Sequence, residues 1–345
     1  MWALVNRNKR AITLDLAAEA GQHLFRRLLA HFDVVVENLS PALLARWHCT
    51  YRELADVNPA LVVVSVTCYG RDGPYRDRPG AGTLAEAFAG LTHMTGEAQG
   101  PPMLASVALG DTVTALAGVI GALAACWHRD AVGRPGHGGQ GQHVDVSMYE
   151  PILQVLAGTL IAYEPGGPVP HRSGSRVPNG VPRNTYRTGD GHWVVVSGTT
   201  DAQVSRLLPV ISIDTPEMRA RFGTSPSRLS QADELDSLVA RWIGSRPRDE
   251  VVDALLDARI PVAPVNDAAA IVEDPHVRAR ADLITVDDDD LGPVRLVAPV
   301  PRLSATPGAV RSTGPRLGAD NEAVYRRLLG LTAQELARLQ DEGVV

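Results

Sequence analysis

Two short runs constrain this chain more than anything else in it: Val34-Val35-Val36 and Leu61-Val62-Val63-Val64-Ser65-Val66. Both are β-branched and apolar almost throughout, without the in–out alternation of a strand that has one wet face. The segments around them have helical spacing. Ala18 to Ala30 sets Leu24, Leu28 and Leu29 on one face, Pro41 to Trp47 is a brief helix, and Tyr51 to Val57 is another. A strand apolar on both sides must be covered on both sides, and strands alternating with helices build a parallel sheet. The predicted class is therefore α/β, with a Rossmann-like parallel sheet in a large domain. Ligands of such sheets gather beyond the strand carboxyl ends. Those ends here are Glu37-Asn38-Leu39-Ser40 and Thr67-Cys68-Tyr69-Gly70, and Ala11 to Leu16 reads as a further strand.

Downstream, Thr83 to Thr92 and Thr112 to Arg129 read as helices. Val107 to Trp127 is the most apolar stretch, but Gly110, Asp111, Gly118 and Gly121 interrupt it, which favours a buried helix over a membrane span. Gly133 to Gly141 is a flexible surface connection, and Val144 to Tyr163 mixes a short strand with a helix. Periodicity vanishes from Glu164 to Pro182. Two strands, 184–188 and 192–197, then flank Gly189-Asp190-Gly191, a hairpin signal, with helices at 202–208, 231–243 and 248–258. A proline-rich return, 298–315, leads to helices at 321–329 and 332–341, the last opening on the capping sequence Thr332-Ala333-Gln334-Glu335. Residues 1–163 and 300–345 are expected to form the large domain, 164–182 a linker and 183–299 a smaller α+β domain.

Composition excludes several chemistries. The chain has one lysine, Lys9, and no Gly-Lys-Ser/Thr, so a P-loop is absent and a Schiff-base lysine could only be Lys9. The net charge of −6, without an arginine-rich run, argues against nucleic acid as partner. Cys49, Cys68 and Cys126 share no metal-ligand spacing and suit reduced thiols in a cytoplasmic protein. No His-x-x-x-His occurs, so no metal is expected, and no Gly-x-Ser-x-Gly supports a nucleophilic serine. Asp287 to Asp290 lacks calcium-loop spacing and reads as a solvated turn.

Asp111 is the most informative carboxylate, because it follows Gly110 and immediately precedes the long apolar helix. Pattern alone favours a helix N-cap, whose side chain accepts a first-turn amide. The functional alternative is a carboxylate held at a positive helix end, where free amides could also stabilise an oxyanion. The two readings differ in where the carboxylate points. Asn38 to Ser40 either form a plain strand-to-helix turn or face a phosphate with their amides. Arg46 is either a phosphate contact or a solvated arginine.

Taken in order, the segments resemble the family III CoA-transferases, the CaiB/BaiF group that includes formyl-CoA and carnitine CoA-transferases. The resemblance rests on Asn6-Arg7-Asn8-Lys9-Arg10-Ala11-Ile12-Thr13-Leu14-Asp15-Leu16, Asp33-Val34-Val35-Val36-Glu37-Asn38, Asn58-Pro59, Gly73-Pro74-Tyr75, Thr95-Gly96-Glu97 and Gly110-Asp111. It continues through Gly141 to Ser147, Pro182 to Thr188, Ile260 to Val265 and Leu329-Gly330-Leu331. It implies that Asp111 is the nucleophile, attacking an acyl-CoA thioester to give an aspartyl mixed anhydride. It also implies CoA contacts at Leu14, Asp15, Leu16 and Ala17, at Asn38, Leu39 and Ser40, at Arg46, and at Pro79, Gly80, Ala81 and Gly82. CoA is then a substrate, with no tightly bound cofactor. The implied assembly is an interlocked homodimer, soluble and cytoplasmic, whose active site forms between the large domain of one chain and the small domain of the other.

Departures from the family pattern sharpen the reading. Acyl-CoA racemases of this fold carry a catalytic histidine where this chain has Ala81, which demotes an epimerase to the alternative. The loop Arg172 to Gly180 is poorer in glycine than in formyl-CoA transferases, which argues against oxalate as acceptor. Gly82-Thr83-Leu84-Ala85-Glu86-Ala87 is more like members acting on succinyl-CoA and other dicarboxylates. Family members also carry a strand, helix and strand ahead of the Asn-Arg-Asn-Lys-Arg segment. A βαβ unit takes roughly 30 residues or more, whereas five precede Asn6. The expectation is a misassigned start or a truncated relative, and a non-catalytic CoA-binding remnant stands as the second alternative.

Overall fold

A computed structural model describes residues 1–132 and 139–345. Residues 133–138 of the glycine-rich connection expected at 133–141 lie outside the described residues. The chain divides into two compact units: residues 1–91, 104–164 and 275–345 form the first, and residues 92–103 and 165–274 the second.

After a helical turn at Trp2–Val5, the first unit runs through α1 (Glu19–Leu29), β1 (Val34–Glu37), α2 (Pro41–Arg46), α3 (Tyr51–Val57) and β2 (Val62–Thr67). It continues with α4 (Gly82–Phe88), α5 (Leu109–Val132), β3 (His143–Ser147) and α6 (Tyr149–Val155). The three strands pair in parallel in the order β1-β2-β3, with Val35 opposite Val63 and Val64 opposite Val144. The run Leu61–Val66 has the predicted cause, but among the described residues β1 is an edge strand whose Val36 is 68% exposed, so its valine run is not covered on both faces. Val62 and Val64 are buried with Ala125 and Val146, whereas Leu61 and Val63 are buried with Leu29, Leu44 and Leu54. Each such valine contributes roughly 1.5–3 kcal/mol over an exposed one.

Two further expectations fail. Ala11 to Leu16 is not a strand. Its backbone groups are met by side chains of the chain's other end, which removes the need for a ladder. The amides of Ala11 and Thr13 donate to Asp320 Oδ2 and Asn321 Oδ1 at 2.8 and 2.9 Å, and the Tyr325 hydroxyl donates to Thr13 O at 2.6 Å. The second failure is the burial of α5. Its sheet-facing stripe is made of small residues: a methyl at Gly121 would fall 2.8 Å from Val144 Cγ1, and Thr114, Gly118 and Ala125 are buried. The bulky residues Leu116, Val119, Ile120, Leu123 and Trp127 point away, with Ile120 68% and Trp127 77% exposed. The helix is apolar all round, so hydropathy could not say which side meets the sheet. By length and composition its stretch Leu109–Ala131 is also sufficient to cross a membrane.

The second unit contains the expected hairpin, β4 (Arg183–Arg187) and β5 (Trp193–Ser197), followed by α7 (Asp201–Val210), α8 (Ala232–Gly244), α9 (Arg248–Asp257) and β6 (Val262–Pro264). Its antiparallel sheet, in the order β4-β5-β6, buries Val194 and Val196 against Leu207, Leu235, Ile243 and Leu255. Two unanticipated helices, Pro216–Phe222 and Ser225–Ser230, fill the interval before α8. The chain then returns through β7 (Leu283–Asp288) and β8 (Gly292–Val297) to a wide π-type helix at Glu322–Leu328 and α10 (Ala333–Asp341). Thr332 and Glu335 form the predicted capping box.

The sequence-based boundaries shift accordingly. Residues 275–299, expected in the small domain, belong to the first unit. Arg7 donates to Val297 O at 2.9 Å and Thr313 bonds to Asp288, ties that local patterning does not reveal. Residues 92–103 and the expected linker 165–182 belong to the second unit.

Candidate active site

The carboxyl ends of β1 and β2 open on a cleft of about 460 Å³. Asn38, Leu39, Ser40, Pro79 and Gly80, all expected CoA contacts, line it together with Val66, Thr67, Cys68, Arg76, Arg78 and Met148. Glu37 shapes this wall. Its Oε2 accepts the Leu39 amide at 2.8 Å, and both its oxygens accept from Arg71 Nη2 at 2.5 and 2.7 Å. Arg71 also donates to Leu39 O at 2.7 Å, and its amide donates to Asp145 Oδ2 at 2.8 Å. Both partners are mostly buried, where a hydrogen-bonded charge pair is geometrically restrictive. The turn after β1 is thereby held from the ends of β2 and β3.

That geometry leaves little of a phosphate cradle at Asn38–Ser40. The Leu39 amide is taken by Glu37, Pro41 has no N–H, and the Leu43 amide donates to Ser40 Oγ at 3.3 Å. The charged residues of the cleft are instead Arg76, paired with Asp77 at 3.3 Å, and Arg78, stacked 3.5 Å over the Tyr75 ring. Tyr75 belongs to an edge-to-face group with Tyr69, Phe88 and Tyr149 that braces the 69–78 turn. Burial, and then neighbouring Cys68, push the Tyr69 phenol up.

From the cleft the segment 79–82 leads to Asp111. Gly80 lies flat on the end of β2: a methyl there would sit 2.0 Å from Cys68 Cβ. Gly82 opens α4 against the Asp111 side chain, where a methyl would sit 2.1 Å from Oδ2. Asp111 is not the N-cap that pattern favoured. It is the third residue of α5, and the Thr112 amide bonds to Ala108 O at 3.1 Å, which places Ala108 just outside the helix. Alanine has no side chain to cap with. The Gly110 amide is met from a distance by buried Glu86, whose Oε1 accepts it at 2.8 Å. Among the described residues no hydrogen bond or ion pair holds the Asp111 carboxylate, which is exposed at a positive helix end.

The remaining expected contacts are not brought to the cleft wall. Leu14, Asp15, Leu16 and Ala17 lie beside the chain's other end, with the Asp15 amide on Val344 O at 2.9 Å. Arg46 ends α2 with its guanidinium 6.0 Å from the Trp47 ring. Ala81 is the residue before α4 and offers a methyl where an epimerase of this fold would need a base. Sequence reasoning missed Arg71, Arg76, Arg78 and Glu86. The turn-rich stretch 71–82 signalled a site, but not which of its arginines would face it. Among the described residues no three His, Cys, Asp or Glu side chains group as a metal site.

The first unit is an α/β unit with a cleft at its strand ends and an exposed carboxylate at a helix start, and comparison with known proteins gives the class and the family. The family described as "CoA-transferase family III" matches residues 1–321. The chain is 37% identical over its full length to succinyl-CoA–D-citramalate CoA-transferase of Chloroflexus aurantiacus, spanning 84% of that protein. It is 36% identical, again over its full length and 84% of the relative, to the beta subunit of succinyl-CoA–L-malate CoA-transferase from the same organism. A crystal structure of a CAIB/BAIF family protein from Brucella suis superposes with a TM-score of 0.80 at 30% identity, covering 95% of this chain and 83% of that one. The chain belongs to CoA-transferase family III.

Proposed function

We propose that the protein moves CoA from a dicarboxylic acyl-CoA, such as succinyl-CoA, to a second carboxylic acid, with Asp111 as nucleophile. One observation carries this reading: among the described residues the exposed Asp111 carboxylate has no hydrogen-bond or ion-pair partner, and the Gly110 amide beside it is met by Glu86 instead. The names of the succinyl-CoA-dependent relatives support the donor class.

The chemistry needs no cofactor and no net proton transfer. An Asp111 oxygen attacks the thioester carbonyl, the C–S bond breaks, and CoA leaves as thiolate, giving an acyl-aspartyl anhydride. The thiolate attacks the aspartyl carbonyl and releases the donor acid. The acceptor carboxylate then attacks the aspartyl thioester, forming a second anhydride and again freeing thiolate. Attack of that thiolate on the acceptor's acyl carbon yields the new thioester and restores Asp111. A carboxylate suits this sequence because each step exchanges one activated acyl group for another. Each tetrahedral oxyanion needs amide or cationic donors. Arg76 and Arg78 supply positive charge in the cleft for the phosphates of CoA.

The exposed apolar face of α5 supports a homodimer, since Leu116, Val119, Ile120, Leu123 and Trp127 form a stripe wider than isolated surface residues require. Three free thiols agree with a reducing, cytoplasmic setting. The test is incubation of succinyl-CoA with isotopically labelled acceptor acid. Label should enter a new thioester with the wild-type protein and not with Asp111→Asn, and hydroxylamine should trap an Asp111 adduct. Full turnover by Asp111→Asn would remove the reading, and α-proton exchange without label transfer would favour the epimerase.

A further inference from the structure

We infer that Glu86 is the positioning residue of the nucleophile: it caps α5 from outside so that Asp111 does not have to. The inference rests on Asp111 being the attacking group.

The first amides of an α-helix have no partner within it, and the usual acceptor is the side-chain oxygen of a Ser, Thr, Asp or Asn just outside the helix. At the start of α5 the residue just outside the helix is Ala108, so local capping is impossible. The nearest carboxylate along the chain is Asp111 itself, and a nucleophile turned back onto an amide would have lost both its reach and a lone pair. Glu86 resolves this conflict. It is 1% exposed, comes from α4, 24 residues earlier, and its Oε1 takes the Gly110 amide at 2.8 Å. The Gly110 carbonyl is fixed as well, by the buried Thr114 hydroxyl at 2.7 Å. The residue before the nucleophile is therefore held by its amide on one side and its carbonyl on the other.

The packing also excludes a side chain at position 110. A methyl on Gly110 would fall 2.8 Å from Gly82 O and 3.2 Å from Glu86 Oε1. The same helix, α4, begins at Gly82 against the Asp111 carboxylate. One short helix thus supplies both the cap for the peptide behind the nucleophile and the surface beside its oxygens.

The role needs an acceptor oxygen and not a charge, which separates it from acid–base catalysis. Glu86→Gln, retaining a carbonyl oxygen, should keep kcat within about threefold of wild type. Glu86→Met, of similar length without an acceptor, should lower kcat roughly 10- to 100-fold, the scale of an ångström-level misplacement. KM for succinyl-CoA should stay within about twofold in both, because Glu86 is not part of the cleft wall. Circular dichroism and the melting curve of Glu86→Met confirm that the protein measured is folded, with Glu86→Leu as the substitute if it is not. A wild-type kcat in folded Glu86→Met overturns the inference. So does a Glu86→Gln as impaired as Glu86→Met, since that would make the carboxylate chemically active. Asp111→Asn run in parallel keeps the two claims apart: if it turns over, the nucleophile assignment has failed, whatever Glu86 does.

Discussion

Gly82 and Asp111 are in such close contact that the α-carbon of one has no room for a methyl beside the oxygen of the other, the gap being 2.1 Å to Oδ2. The same methyl would fall 2.8 Å from Asp111 Cγ and 3.2 Å from its backbone nitrogen, so the whole side chain has to turn away and the main cost falls on reactivity. Gly82→Ala should therefore leave the protein folded with at most a modest drop in melting temperature, since the helical preference for alanine, up to about 1 kcal/mol, offsets part of the crowding. Its kcat should nevertheless fall at least roughly tenfold. Parallel calorimetry and steady-state kinetics check this, and a fully active Gly82→Ala would mean that the carboxylate works from another rotamer.

The exposed face of α5 makes a separate claim. Ile120→Glu places a charge in the middle of the apolar stripe, 68% exposed in the single chain, and should leave its folding intact. If that face pairs with a second copy, the buried charge should shift the protein towards monomer by several kcal/mol. Sedimentation velocity of wild type and variant at equal concentration is the measurement, and an unchanged oligomer would place the interface elsewhere.

Arg228 fastens the second unit from within. It is 1% exposed and donates to the carbonyls of Val181, Phe222 and Thr199 at 3.1, 2.9 and 2.7 Å, with Asp201 Oδ1 a further 2.8 Å partner. Arg228→Met fills most of the volume but leaves three acceptors unmet, each worth about 1–3 kcal/mol when stranded. A loss on the order of 3 kcal/mol or more is expected from urea unfolding followed by the fluorescence of Trp242, which lies in the same core. A loss below about 1 kcal/mol would show that water replaces the guanidinium.

Asp190, in the turn of the β4–β5 hairpin, gives stability a dependence on acid. The Thr188 hydroxyl at 2.5 Å, then the Arg248 amide at 3.0 Å, hold its carboxyl down at about 2, against an ordinary value of 3.8. A carboxyl depressed by folding contributes its stability above the unfolded value and loses it as pH falls through the folded one. The melting temperature of wild type should therefore exceed that of Asp190→Asn at pH 7, with the gap closing between about pH 4 and pH 2. A gap independent of pH would assign the effect to turn geometry alone.

The parts of the fold that sequence made legible are those fixed by neighbours along the chain. The run Leu61–Val66 announced a central strand covered on both faces, Thr332 and Glu335 announced their capping box, and Gly189-Asp190-Gly191 announced its hairpin. Asn38 to Ser40 were placed beyond a strand end by local pattern and line a cleft there, whereas Pro79-Gly80, which share it, were expected only from the family resemblance. The misses share one cause. Ala11 to Leu16 has strand-like composition, but its hydrogen bonds come from residues some 300 positions away, such as Asp320 and Asn321. Residues 275–299 have the texture of the second unit and the contacts of the first.

Asp111 shows the division most clearly. By itself the sequence determined that a carboxylate stands at the start of a long apolar helix, because glycine and helical periodicity are local properties. Whether that carboxylate caps the helix or is free to react depends on what else can reach the Gly110 amide. That was decided only when the fold brought Glu86 to 2.8 Å from it, since a hydrogen bond between two helices has no signature in the spacing of either.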